Sequence, residues 1–311
     1  MKVKVKYNYL IIIFLISILG IMVLNQKIQI LEYYTNSIKL NNWWDDNDIE
    51  SENIFQTILQ DQDKNIEVYS VFGEPKFNRS DNTVYIQFSG ESNYKDPSLF
   101  DINFIPSNET SNCIVFPYAA FNILHEKLSI DYFLNKRIYD TTLNNKFCLF
   151  AVSNGNCSQR NNFYNKLSKY KHIDSCGKHL NNMNGKNCPG KHNSQEFKDF
   201  VSNYKFMICF ENVSKPNYFT EKLINAYYSK TIPIYWGCPN IDDYINMDSI
   251  LYLKPDFSEN DVNELIETIE HLDNQPDQYK KKYESIFFKN GLLPDEFNIE
   301  TLRTKVNKLL K

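Results

Sequence analysis

The sequence predicts an α/β protein built on a parallel sheet. Two observations carry this. From Lys146 onward, short apolar runs alternate with helical patterns of about ten residues, and strands joined by helices run parallel. The runs KFCLFAV, KFMICF and TIPIYWG also lack polar alternation, as strands do when both faces of their sheet are covered.

The elements follow in order. Lys2, Lys4 and Lys6 precede an uncharged run from Tyr7 to Leu24. That run suffices for a thin bilayer, for which ~17 residues is the lower limit. It is expected to anchor the chain in a lipid bilayer through residues 7–24, with the lysines cytoplasmic and the body across the membrane. A cleaved signal peptide is the alternative. The sequence NQKIQI after Leu24 offers no small-x-small cleavage site, which favours the anchor.

Residues 25–60 are polar and read as a stem entering the first domain. Apolar runs at 66–72, 84–88 and 114–116 read as strands of a domain over 61–140, and the polar segment 131–145 as a bridge. A second domain over 141–290 follows. It has strands at 146–152, 205–210, 231–237 and 249–253, and helices at 160–170, 194–204, 220–230 and 261–272. A last helix closes the chain within 291–311 and could pack on either domain.

Composition narrows the function. The 311 residues include 21 Tyr and 22 Phe, which imply a packed body. Net charge is −4, and without the three N-terminal lysines 31 basic residues face 38 acidic ones. A body of charge −7 is not a general nucleic-acid binder. If it binds phosphates, a few local cations must hold them. Only Arg79, Arg137, Arg160 and Arg303 are arginines.

Ligands of open α/β sheets sit beyond the carboxyl ends of the strands, at helix N-termini. Two junctions fit: SNGNCSQR at 153–160 and ENVSKPNYFTEK at 211–222. Each brings a cation to a helix start, Arg160 and Lys222. A cation in a first turn opposes the helix dipole by ~0.3–1 kcal/mol, and a bound diphosphate would reverse that sign. Neither loop carries Gly-x-Gly-x-x-Gly and no Walker loop is present, which argues against a dinucleotide oxidoreductase or a P-loop enzyme.

Metal readings are weaker. Asp46-Asn47-Asp48 and Asp61-Gln62-Asp63 have the Asp-x-Asp form of a manganese site but lie far from the parallel-sheet pattern. His172, Cys176, His179, Cys188 and His192 could offer zinc ligands, yet no Cys-x-x-Cys pair occurs. A Cys176–Cys188 disulfide, or free thiols, is preferred. The cysteines number seven, so at least one is unpaired within the chain. Sequons stand at Asn78, Asn108, Asn156 and Asn212.

The stretch FENVSKPNYFTEKLINAYYSKTIPIYWGCPNIDDYIN, from Phe210, resembles the donor-binding signature of the alpha-1,3-fucosyltransferases, glycosyltransferase family 10. Val213 stands where serine is usual and Phe219 where valine is usual. KFCLFAVSNGNCSQRNNFYNKL upstream and VYIQFSGES at 84–92 resemble the family too, and Trp43-Trp44 echoes its start. The resemblance covers about 40 to 285.

It implies a GT-B fold, with two Rossmann-like domains facing a cleft. It also implies GDP-fucose as donor, a glycan or glycoprotein acceptor, and inversion at the anomeric carbon. Arg160 and Lys222 would hold the diphosphate, and Ser153, Asn154, Asn212 and Tyr218 would lie along the donor loops. Glu221 would contact ribose or sugar, and Glu91 would be the general base. Such a transfer needs one carboxylate to take the acceptor proton and cations where charge develops on the leaving diphosphate. No metal is then obligatory, though a divalent ion could assist. Glu211, at the end of a buried strand, suits a structural hydrogen-bonding role.

The expected acceptor atom is the 3-hydroxyl of N-acetylglucosamine or glucose. The expected site is the lumen of a Golgi-type secretory membrane, or a host membrane if the protein is viral. Two alternatives stay open: another nucleotide-sugar donor, and a membrane-anchored binding protein without turnover. Because its sequon opens the donor loop, Asn212 is expected to carry no glycan.

Overall fold

The structure is a computed structural model that describes residues 38–45, 48–60 and 62–311. The apolar run at 7–24 lies outside the described residues. Among the described residues no helix is long and apolar enough to cross a membrane.

Two parallel sheets of five strands each form the frame. The first contains β1 (Ile38–Asn41), β2 (Asn65–Tyr69), β3 (Thr83–Phe88), β4 (Ile102–Ile105) and β5 (Cys113–Val115), in that order. The second contains β6 (Lys146–Phe150), β7 (Ile173–Ser175), β8 (Tyr204–Phe210), β9 (Ile232–Trp236) and β10 (Leu251–Tyr252), in the order β10-β9-β8-β6-β7. Phe206 aligns with Ile232 and Phe210 with Trp236, so β8 and β9 end level, beside the site described below. All five residues from Phe206 to Phe210 are buried, as the unbroken apolar run requires when both faces are covered.

Helices cover the second sheet: α4 (Ser158–Leu167), α5 (Gln195–Val201), α6 (Glu221–Tyr228), α7 (Glu259–Asn274) and α8 (Pro276–Tyr283). In α7, Val262, Leu265, Ile269 and Leu272 are buried, a stripe at helical spacing. Ser258 and Asp261 close its first turn as a reciprocal capping box.

The first sheet is sparser. It is flanked by α1 (Ile49–Ile58), α2 (Tyr118–His125) and α3 (Ile130–Leu134). The β2–β3 and β4–β5 connections contain no helix, although the strands they join are parallel. An aromatic cluster of Tyr69, Phe77, Tyr85 and Phe100 packs beside that sheet.

The structure adds elements that the sequence pattern does not mark. The segment 25–60, read as a stem and the start of the first domain, contains β1 and α1. The polar bridge contains α3, and β4, β7 and α8 are additional elements. The last helix, α9 (Ile299–Leu309), returns to the first unit: Gln62 Nε2 donates to Asn307 Oδ1 at 2.7 Å, and Arg303 Nη2 to Thr57 O at 2.9 Å. One continuous core joins the units, running from Phe55 and Phe88 to Phe219, Tyr244 and Phe297. Ala119 N, in α2, donates to Phe219 O at 3.1 Å.

Candidate functional site

The carboxyl ends of β1, β2, β3 and β5 face that of β8, and a cavity of about 360 Å³ lies between them. Its lower wall is the loop from Glu211 to Thr220 and the start of α6. Thr220 is the helix N-cap, in extended conformation, with its hydroxyl accepting from Lys222 N. Glu211 is fully buried. Its carboxylate accepts from Thr220 N at 2.8 Å, from the Thr220 hydroxyl at 3.0 Å and from Lys222 Nζ at 3.0 Å. Gly237 packs against Glu211 with φ at +154°, and a Cβ there would lie 2.6 Å from Glu211 Cγ.

Lys222 is therefore not a bare cation in a first turn. Burial pulls its pKa down, but Glu211 and Glu221 outweigh burial and hold it above the ordinary lysine value. Burial pushes the Glu211 carboxyl up, and Lys222 opposes that shift. The charged pair is the state the geometry supports, because the carboxylate is met by donors on both oxygens. Glu221 stands at the helix start, its carboxylate 3.7 Å from Lys222 Nζ.

Arg160 stands in the first turn of α4, where the sequence places it; it is buried and ties the two junction loops together. Nη1 donates to Phe210 O and Asn212 Oδ1, both at 3.1 Å, and Nη2 donates to Asn154 O. Its Nε is buried with no partner among the described residues.

The upper wall comes from the first sheet. Glu91 follows β3 after Ser89-Gly90. The Ser89 hydroxyl holds this turn, donating to Asn93 O at 2.6 Å and accepting from Glu91 N at 3.2 Å. Gly90 is needed because the Tyr118 ring lies on it: a Cβ would sit 2.4 Å from Tyr118 Cδ2. Trp44 and Phe72, from the loops after β1 and β2, complete this side with large exposed rings.

Behind them His125 bridges two carboxylates, with Nε2 3.0 Å from Asp48 Oδ1 and Nδ1 3.1 Å from Glu126 Oε1. Asn193 Nδ2 donates to Glu126 at 2.8 Å and so connects this network to the second unit.

The fold thus gathers Glu91, Asn212, Tyr218, Glu221 and Lys222 around one cavity. Ser153 lines a smaller cavity of about 210 Å³ with Cys176, Gly177 and Lys178, and His192 borders both. Asn154 and Arg160 line neither and act on the loops behind. Sequence reasoning missed Tyr118, His125, Glu126 and Phe72 at the cavity. The signal for them was position, since all four fall in or just beyond strands and helices of the first unit.

The zinc set is not assembled. Cys176 and Cys188 form a disulfide. His172 pairs with Asp174 at 3.2 Å and His179 with Asn161 at 2.9 Å, while His192 faces the cavities. In the Asp-x-Asp triplets, Asp46, Asn47 and Asp61 lie outside the described residues. Asp48 is committed as the cap of α1 and as partner of Trp43 Nε1 at 3.0 Å.

Residues 142–285 match the model of the glycosyltransferase family 10 (fucosyltransferase) C-terminal domain. Those residues, a little under half of the chain, are similar to that domain. The matched residues contain the β6 and β8 junctions, and Glu91, Trp44 and Phe72 lie outside them.

Among relatives, an alpha-(1,3)-fucosyltransferase of Helicobacter pylori is 34% identical over 146 residues, 47% of this chain and 28% of that protein. A putative fucosyltransferase of Acanthamoeba polyphaga mimivirus is 30% identical over 182 residues, 56% of this chain and 28% of its own length. A GDP-fucose protein O-fucosyltransferase 3 of Xenopus tropicalis is 30% identical over 39% of this chain and 26% of its own. The matches thus span less than a third of these relatives.

A crystal structure of an alpha1,3-fucosyltransferase with GDP-fucose superposes with TM-score 0.63 at 22% identity, covering 88% of this chain and 90% of that one. Another, without a named ligand, gives TM-score 0.66 at 21% identity, covering 88% and 89%. These establish the shared two-sheet fold.

Proposed function

We propose that this protein is a member of glycosyltransferase family 10 that transfers L-fucose from GDP-fucose to a glycan hydroxyl, with inversion. The observation that carries the reading is the cavity lined by Glu91, from the loop after β3, and by Lys222, from the first turn of α6. A donor laid on the β8 loop would place its diphosphate near Lys222, with the buried Arg160 guanidinium behind that loop, bonded to Asn212. Glu91, whose side chain makes no hydrogen bond or ion pair among the described residues, would receive the acceptor proton.

In the step itself, the acceptor oxygen forms a bond to fucose C1 as its proton passes to Glu91. The bond from C1 to the β-phosphate oxygen breaks, and GDP leaves with the electron pair. Lys222 and Arg160 counter the charge that develops on it. With those cations in place, a divalent metal is not obligatory. The proposed acceptor atom is the 3-hydroxyl of N-acetylglucosamine or glucose, giving an α-1,3 linkage.

The same proposal places the protein as a type II membrane protein with its body in a secretory lumen, anchored by residues 7–24. The Cys176–Cys188 disulfide suits such an oxidising compartment. Protease protection of the body in sealed vesicles tests the topology.

The activity test uses the full chain in detergent with GDP-fucose, GDP-mannose and UDP-sugars against a glycan array. Transfer from GDP-fucose alone is expected. Glu91→Gln should lose transfer by at least about 100-fold with GDP binding unchanged. Preference for another donor would overturn the fucose assignment, and full activity of Glu91→Gln would remove Glu91 as the base.

A further inference from the structure

The loop that forms the lower wall of the cavity is held at several points, and one of them lies on the opposite unit. Lys215, in that loop, donates from Nζ to Ser92 O at 2.7 Å. Ser92 directly follows Glu91. The bond therefore crosses the cleft, from the loop after β8 to the turn after β3. An ammonium on a carbonyl makes a charge-assisted hydrogen bond, stronger than a neutral one.

A long exposed side chain loses rotamer freedom when it is held, so such a contact matters only where both of its ends are already fixed. Both ends meet that condition. On the first unit, the Ser89 hydroxyl closes the turn by accepting from Glu91 N and donating to Asn93 O. On the second, Tyr218 N donates to Lys215 O at 3.3 Å, and the ring of Pro216 fixes φ between them. Asn217 has φ at +59°, a left-handed conformation that asparagine tolerates. Its N–H donates to Asn240 Oδ1 at 2.9 Å, and Asn240 Nδ2 donates back to Asn217 Oδ1 at 2.9 Å. The Tyr244 hydroxyl donates to the same Asn217 oxygen at 2.8 Å. Upstream, Arg160 holds Asn212. Lys215 thus projects from a bend whose backbone is pinned on either side.

We propose that Lys215 is a positioning residue that straps the Glu91 turn to the loop carrying Asn212 and Tyr218. It does not line the cavity, so it acts through the Ser92 carbonyl. Proton transfer requires Glu91 within hydrogen-bond reach of the acceptor hydroxyl while the donor is seated, and a misplacement of about 1 Å costs rate steeply. A strap from the donor's loop to the base's turn keeps the two in register. This rests on the transfer reading above and adds to it what holds the base.

The experiment uses the full chain in detergent with Lys215→Met, which keeps the length of the side chain without its donor, and Lys215→Arg, which keeps a donor. In Lys215→Met, kcat should fall at least about tenfold. GDP affinity should change less than about twofold and the melting temperature by less than about 2 °C, since the side chain is exposed. Lys215→Arg should keep more than about half of kcat. In a Glu91→Gln background, Lys215→Met should cost nothing further, because it acts through that carboxylate. Unchanged kcat in Lys215→Met, or an equal loss without the Glu91 carboxylate, would overturn the strap. So would a loss of GDP affinity as large as the loss of kcat, which would make Lys215 a nucleotide contact.

Hydrogen exchange at the amides of residues 91–94 reads the strap without turnover. In the ligand-free protein it should quicken at least about threefold in Lys215→Met and stay near native in Lys215→Arg. Equal rates in the native protein and Lys215→Met would refute the contact. Faster exchange in Lys215→Met, with no turnover of any donor by the native protein, would uphold the strap while removing the transferase reading.

Discussion

Lys222 Nζ lies 3.0 Å from Oε2 of Glu211, a fully buried carboxylate, and 2.9 Å from Thr220 Oγ1. The lysine therefore does two jobs that must be separated: it compensates a buried charge, and it faces the proposed diphosphate. Removing one partner of such a pair leaves an unpaired buried charge. With the Lys222 side chain still 26% exposed, Lys222→Ala should destabilise by about 3 kcal/mol, the low end for buried pairs.

The double variant Glu211→Gln/Lys222→Ala should recover most of that loss in a denaturant titration, since the stranded charge is gone. GDP binding should stay weak in both. If the double variant bound GDP like the native protein, Lys222 would be a structural counter-ion only.

Arg137 predicts a pure stability effect. Its guanidinium lies between the rings of Tyr227 and Tyr283, with centroid distances of 3.8 and 4.0 Å. It also donates to three carbonyls, Tyr283 O at 2.9 Å, Tyr227 O at 3.0 Å and Thr231 O at 3.1 Å. Arg137 thus fastens the segment between the two sheets onto the second unit. Arg137→Ala should cost about 2–4 kcal/mol, and Arg137→Lys should recover less than half, because an ammonium cannot span both rings and all three acceptors. Thermal melts of the three proteins decide this. A lysine variant as stable as the native protein would show that charge alone is needed.

The second sheet was legible in the sequence because its strands are buried on both faces. Phe206–Phe210 and Ile232–Trp236 are unbroken apolar runs followed or preceded by capped helices. The first sheet was less so. β1 is four residues long, partly exposed and paired on one side only, so IKLN carries little pattern. The β4–β5 pair lacks the helical crossover that usually announces parallel strands.

The same difference governs the site. Lys222 and Glu221 could be placed because a loop and a cap mark the start of α6. Trp44 and His125 could not, because their nearness to Glu91 depends on how β1, β3 and α2 come together. The ion pair of Lys222 with Glu211 was hidden for another reason: eleven positions apart, they meet only through the folded loop.

Cys176 and Cys188 close a short loop that lines the smaller cavity. Gly177, just inside it, packs so tightly on the backbone of Val152 that a Cβ would lie 2.0 Å from Val152 O. Reduction should release this packing. By the loop-entropy rule, closing a loop of this size stabilises by roughly 2–3 kcal/mol. Cys176→Ser/Cys188→Ser should therefore melt several degrees lower, and dithiothreitol should lower the native melting temperature while leaving that of the variant unchanged. A native protein whose melting ignores dithiothreitol, with thiol titration confirming reduction, would contradict the disulfide's structural part.

His125 gives the pH prediction. The hydrogen bond to Asp48 is the largest influence; with that of Glu126 it raises the imidazole pKa, against the opposing effect of burial. A group raised on folding stabilises fully below its unfolded value, about 6.5 for histidine, and that contribution fades as pH rises through the raised folded value. Asp48 is opposite in sign. Burial would raise it, but bonds from His125 and Ser51 hold it below the carboxylate range, so its contribution is lost only in acid. Glu126 is tied to Asn193 and Asp48 to Trp43, so the protonated ring is the favoured centre of the network. His125→Phe keeps the packing against Phe121, whose ring lies 5.5 Å away. The native protein should therefore lose more stability than His125→Phe as pH rises above about 6.5 in urea titrations. Equal losses, or a native protein that gains relative to the variant, would show that His125 is not protonated in the fold.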